Sequence, residues 1–178
     1  MALKSTIFKI ELQLSDLDRH YYQTHALTLA RHPSETDERM MVRVIAFALN
    51  AHEALEFGKG LSTDDEPDLW RKDLTGAIEQ WIEVGLPDEK RLRKACGRAA
   101  AVSVYTYGGR TADLWWEQNR AALNKLDKLS VIDLPVGQTL ALAGLVTRTL
   151  QISATLQEGE LWLVANDQSL HITPLRRA

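Results

Sequence analysis

With one cysteine, Cys96, the chain cannot close an intramolecular disulfide, and it contains no Asn-x-Ser/Thr acceptor. Both facts suit a reducing compartment, and cytoplasm is the expected location. Proline (5) and glycine (10) are too sparse for a collagen-like or low-complexity chain. Positive charge is not in excess: 21 basic against 24 acidic side chains give a net charge of −3, so the overall field attracts neither nucleic acid nor an anionic membrane, and phosphate binding must be local. The longest apolar run beside a helix, Val44 to Leu49, is far short of the ~20 residues that span a bilayer, and the polar-alternating start shows no secretory signal, so no membrane partner is expected. What remains, 178 residues with 45% hydrophobic and 25% charged side chains, suits one soluble domain over residues 1–178.

Residues 6–14 alternate, with Phe8, Ile10, Leu12 and Leu14 on one face and Lys9, Glu11 and Gln13 on the other. That period-two pattern predicts a half-buried strand, and the turn at residues 15–18 leads to a hairpin partner over 21–31. At His32-Pro33-Ser34 the pattern changes to a helix reaching about residue 52, capped by Ser34 and striped by Met41, Val44, Ile45 and Ala48. Residues 58–73 are acidic and poorly patterned, with short strand-like pieces on either side. Residues 77–85 place Ile78, Ile82 and Val84 on one strand face and Glu79, Trp81 and Glu83 on the other. A helix beginning at Leu86-Pro87-Asp88 runs to about Ala100 and buries Leu92, Ala95, Cys96 and Ala99. A central strand over 101–107, a helix over 111–127, a strand over 129–134 and a meander over 148–173 complete the order. This predicts an α/β (α+β) domain with one compact mixed β-sheet and helices packed on it.

The common catalytic signatures are missing: there is no phosphate loop, dinucleotide fingerprint, nucleophile elbow or His-Glu-x-x-His pair. The five dispersed histidines offer no zinc spacing. Carboxylates stand out instead. Asp68 precedes Glu83 by a hairpin-like distance, and Glu38 lies at the start of the first helix. Three acids gathered at a sheet edge would repel one another unless a cation neutralised them, and Mg²⁺ prefers such hard oxygens. A metal held there activates water for phosphodiester hydrolysis. The bland readings stand beside this one. Glu38 complements the helix dipole by ~0.3–1 kcal/mol, Asp68 is a turn residue, and residues 90–98 are a solvated helix face. Trp70, Trp81, Trp115 and Trp116 read as core anchors. Glu79 and Glu83, flanking Trp81 on one strand face, call for either a site or a salt-bridge network.

Four segments, RHPSETDERMM (31–41), DDEPD (64–68), WIEVGLPDEK (81–90) and YTY (105–107), resemble the YaeQ family of bacterial proteins, and the likeness covers essentially the whole chain. It implies a compact variation on the PD-(D/E)xK nuclease architecture, with an α-β-β-β-α-β core, here about residues 34–107, and extra N- and C-terminal strands. On that likeness Pro67-Asp68 resembles the PD element, Glu83 the second acid and Glu38 the acid of the first core helix, so Asp68, Glu83 and Glu38 are the expected Mg²⁺ ligands. Gly85 stands where the motif lysine belongs. Arg91, closest to the sheet-facing stripe of the next helix, is the candidate substitute, and Lys90 and Lys94, pointing towards solvent, are candidate binding residues. Three functions follow, in this order: a Mg²⁺-dependent phosphodiesterase or nuclease acting on nucleic acid, a non-catalytic nucleic-acid- or protein-binding module on the same frame, and last a small-molecule enzyme using the same acid cluster. Oligomeric state is not legible in the sequence.

Overall fold

Alternation and burial agree along the first strand. In the computed structural model, which describes residues 4–59 and 65–178, β1 (Thr6–Asp16) buries Phe8, Ile10, Leu12 and Leu14 and exposes Lys9, Glu11 and Gln13. Its hairpin partner β2 (Tyr21–Arg31) pairs with it along its whole length, from Thr6 opposite Arg31 to Asp16 opposite Tyr21. The other neighbour of β1 is β8 (Thr149–Gln157), which runs parallel to it. From there β9 (Glu160–Ala165) and β10 (Gln168–Ile172) continue the meander, giving the order β10-β9-β8-β1-β2.

The sheet expected to be single is divided into two. The second contains β3 (Leu55–Phe57), β4 (Leu69–Lys72), β5 (Ile78–Val84), β6 (Val102–Thr106), β7 (Leu129–Asp133) and β11 (Leu175–Arg176), in the order β11-β7-β6-β5-β4-β3. Its centre is parallel: β5, β6 and β7 run together, joined through the helices α2 (Glu89–Arg98) and α3 (Arg110–Leu123). The division follows from α1 (Asp37–Leu49), in which Met40 through Ala48 are all buried. A helix buried on every side cannot lie on a sheet with its other face in water. One apolar cluster accordingly joins α1 to the inner face of the first sheet and to Leu69, Ile82, Val84 and Tyr105 of the second. The opposite face of the second sheet, with Trp81, Val102, Val104 and Val131, packs on α2 and α3 through Leu92, Ala95, Trp116 and Leu123. Trp70 and Trp115 pack against this second cluster, so the four tryptophans serve as packing anchors.

Local capping explains the helix boundaries. The N-cap of α1 is Thr36, whose hydroxyl accepts from Arg39 N–H at 3.1 Å, and not Ser34, which is held by the His32 ring at 2.6 Å. Asp88 caps α2 by accepting from Arg91 N–H at 2.7 Å. A fourth helix, α4 (Val136–Ala143), has no counterpart in the sequence pattern; it lacks a side-chain cap and carries too few polar residues to show a stripe. The chain from α1 through β3, β4, β5 and α2 to β6 has the α-β-β-β-α-β order expected over residues 34–107. Asp64, part of the acidic string, lies outside the described residues.

Candidate functional site

The antiparallel register of β4 on β5 sets the site. Leu69 pairs with Ile82, so the preceding residue, Asp68, comes to lie beside Glu83 at the end of the β5 strand. Both are buried, at 6% and 5% exposure, which two carboxylates tolerate only with compensation. Each has it. Asp68 accepts from Arg39 Nη2 at 2.9 Å through Oδ1 and from Val84 N–H at 2.7 Å through Oδ2. Glu83 Oε1 accepts from the Trp81 indole at 2.8 Å and from Arg91 Nε at 2.7 Å.

Arg39 and Arg91 tie this pair to the rest of the fold. Arg39 also donates to Val84 O at 3.1 Å and to Glu35 Oε2 at 2.7 Å. Glu35 in turn takes a two-pronged contact from the buried Arg43, at 2.6 and 3.0 Å. Arg91 donates to the carbonyl of Glu66 at 3.0 Å, clamping the segment that leads into Asp68. The result is a charge network in which three carboxylates, Glu35, Asp68 and Glu83, meet three guanidiniums, Arg39, Arg43 and Arg91, with the like-charged Asp68 and Glu83 side by side.

Glu38 does not join this network. Its Oε2 accepts from the Thr139 hydroxyl of α4 at 2.9 Å, and no hydrogen bond links it to Asp68 or Glu83 among the described residues. The carboxylate that reaches Asp68 through Arg39 is Glu35, which sequence reasoning passed over. Its signal was present: Arg39 and Arg43 follow it at steps of four, and Arg43 sits inside the apolar run Met40 to Ala48. Arg91, picked out by its helical position, does reach Glu83. Lys90 and Lys94 are exposed. Glu79 pairs with Arg71 at 3.0 Å, so the two acids flanking Trp81 are each ion-paired, with different arginines.

The backbone at Gly85 favours glycine over the lysine that the resemblance placed there. Its φ is +107°, a conformation that side-chain-bearing residues rarely adopt, and its N–H donates to Tyr105 O at 2.9 Å. It lies just past the end of β5 at Val84.

Mg²⁺ fits this arrangement poorly. The cation binds oxygen ligands whose charge it must neutralise, but here every buried carboxylate already carries a guanidinium. Among the described residues no three His, Cys, Asp or Glu side chains are grouped to hold a metal.

The Glu83 carboxyl is pushed above the usual glutamate range, chiefly by burial and next by the charge of Asp68, against the opposing pull of Trp81 and Arg91. An acid whose folded pKa is raised contributes stability below its unfolded pKa and loses that contribution as pH rises through the folded value. Glu83→Gln keeps a carbonyl oxygen for Trp81 and Arg91 and removes the charge. Its melting temperature is therefore expected to exceed that of the parent at pH 8, with the difference closing towards pH 4. Thermal melts at the two pH values check this, and an equal loss of stability at both would contradict it.

Comparison with known proteins bears on the whole of this arrangement. The family model described as YaeQ protein matches residues 1–174. The YaeQ protein of Escherichia coli strain K12 is 44% identical over 172 residues, covering 97% of this chain and 95% of its own, and that of Salmonella typhi is 45% identical over the same span. The crystal structure of YaeQ from Xanthomonas axonopodis pv. citri superposes with a TM-score of 0.94 at 49% identity, covering 97% of this chain and 98% of that one. YaeQ from Pseudomonas syringae gives the same TM-score at 36% identity, covering 98% and 96%. Sequence identity at this level over the full fold leaves one conclusion: the chain belongs to the YaeQ family.

Proposed function

We propose that the protein is a non-catalytic nucleic-acid-binding module whose contact surface is the exposed side of α2, built on a nuclease-like frame. The observation that carries this reading is where charge is spent and where it is left over. Asp68 and Glu83 are each committed to an arginine. In α2, five cations (Lys90, Arg91, Arg93, Lys94, Arg98) stand against one acid, Glu89, in a chain of net charge −3. Asp88, which dilutes the run in sequence, is used as the helix cap. Glu89 pairs with Arg93, and Arg91 is bonded to Glu83. Lys90 and Lys94, one helical turn apart and both exposed, have no ion-pair partner among the described residues. Such a stripe suits the phosphate backbone, where contacts fix position and carry no sequence information.

Fluorescence anisotropy with labelled 20-mer DNA and RNA across a salt series tests the reading. Binding is expected to weaken linearly with log salt. Lys90→Ala/Lys94→Ala is expected to reduce the slope by about 2, one for each lost phosphate contact, with no cleavage in Mg²⁺ or Mn²⁺. Absence of binding at 50 mM salt, or an unchanged slope in the double variant, would overturn it.

A further inference from the structure

At the opposite end of α1, remote from the acid and arginine chain, a groove of about 370 Å³ opens between the second sheet and the β1–β2 turn. That size falls within the range of small-ligand sites. Its floor is set by register: Ser103 pairs with Ser130 and Tyr105 with Ile132, so the two serines and the tyrosine share one face of β6 and β7. Asn50, just past α1, and two arginines, Arg19 and Arg176, complete the wall.

An inventory of hydrogen-bonding groups shows what is left unspent. Asn50 donates to Ala46 O and to the Tyr105 oxygen, both at 2.8 Å, and its own oxygen accepts from Gln80 at 2.8 Å. The Tyr105 hydroxyl is therefore an acceptor towards Asn50, and its own O–H has no acceptor among the described residues, although the ring is 5% exposed. Burial raises the tyrosine pKa, so the group stays protonated and remains a donor. Ser103 makes no side-chain hydrogen bond among the described residues, and Ser130 only accepts, from Arg176 Nη2 at 3.3 Å. Arg19 uses Nε on Asp16 (2.6 Å) and Nη1 on Ala51 O (2.9 Å), leaving Nη2; Arg176 uses Nε on Ala178 O (3.1 Å), leaving Nη1. The acid at the rim, Asp18, accepts from the backbone N–H groups of Glu158 and Gly159 at 2.7 and 2.9 Å, one on each oxygen.

The groove thus offers three hydroxyl donors and two guanidinium donors, against one rim carboxylate held by two backbone N–H groups. A ligand rich in acceptors matches such a set. We infer that this groove is a second binding site, for a small molecule carrying an oxyanion, either a phosphate or a carboxylate. It is independent of the nucleic-acid reading, because it shares no residue with α2.

Two probes, inorganic phosphate and acetate, titrated into the full chain by NMR or calorimetry, test this. Saturable binding of at least one is expected, weakened about tenfold by Tyr105→Phe and by Arg176→Gln, each of which removes one bond to a charged ligand. Binding is expected to be unchanged in Lys90→Ala/Lys94→Ala. Phosphate alone binding points to phosphorylated ligands; acetate binding as well points to carboxylates. Arg176 is exposed, so its variant keeps the test open if loss of the Tyr105 oxygen disturbs Asn50. No saturable binding of either probe, or binding in both variants as tight as in the parent, overturns the inference.

Discussion

Arg43→Leu is expected to destabilise the fold by about 3–5 kcal/mol, the cost of stripping one partner from a buried ion pair. Arg43 is 2% exposed and Glu35 7%. Their contact is two-pronged, and Arg43 Nη2 also donates to the carbonyl of Ala30 at 3.1 Å, so the same guanidinium fastens α1 to β2. Without it Glu35 keeps only Arg39, and the Ala30 carbonyl loses a donor. For a chain of this length the melting temperature should fall by roughly 6–20 °C, at about 2–4 °C per kcal/mol. The companion double variant Glu35→Met/Arg43→Leu removes both charges and is expected to recover at least half of the loss, since apolar replacement of a buried pair is often neutral. Arg39 is not stranded in it, because Asp68 and the Val84 carbonyl still accept from it. Melts of the single and double variants decide the matter: a loss below about 1 kcal/mol for Arg43→Leu, or no recovery in the double, would show that the pair is not an anchor.

What the sequence revealed and what it hid have the same physical origin. Elements with one wet face show a period, so β1, β2, α2 and the closing meander are legible from alternation or stripes alone. Elements buried on all sides do not. For α1 the visible stripe of Met41, Val44, Ile45 and Ala48 was a subset of nine consecutive buried residues, and the division of the strands into two sheets went with it. The octet of α4 offered too few polar residues for a stripe. At the candidate site, the adjacency of Asp68 and Glu83 was readable because a hairpin register is local. The partnerships of Arg39 with Asp68 and of Thr139 with Glu38 were not, because they join residues 29 and 101 positions apart. Charge spacing at steps of four held the one neglected clue, from Glu35 through Arg39 to Arg43.

Asp68→Ala is the second substitution with a large expected effect, and it has two separable readouts. Stability should fall by about 3–5 kcal/mol, because Asp68 both neutralises Arg39 and caps the buried N–H of Val84. The position has little room to adapt. The carbonyl of Asp68 accepts from Gly58 N–H at 2.9 Å, and a Cβ on Gly58 would meet Pro67 O at 2.0 Å, so the segment is pressed against its neighbour. The second readout is electrostatic. The charge of Asp68 is one of the two causes that raise the Glu83 carboxyl, so its removal should bring that titration down towards the ordinary glutamate range, with burial alone still opposing. Trp81 supplies the probe, since its indole donates directly to Glu83 at 2.8 Å. The pH midpoint of the Trp81 indole NMR resonance should therefore lie lower in Asp68→Ala than in the parent. Asp68→Asn removes the same charge while retaining an acceptor, and should shift the midpoint in the same direction with a smaller loss of stability. An unmoved midpoint in both variants would mean that the two carboxylates do not sense one another, and the picture of a coupled, arginine-balanced acid pair would fail whatever the melting temperatures showed.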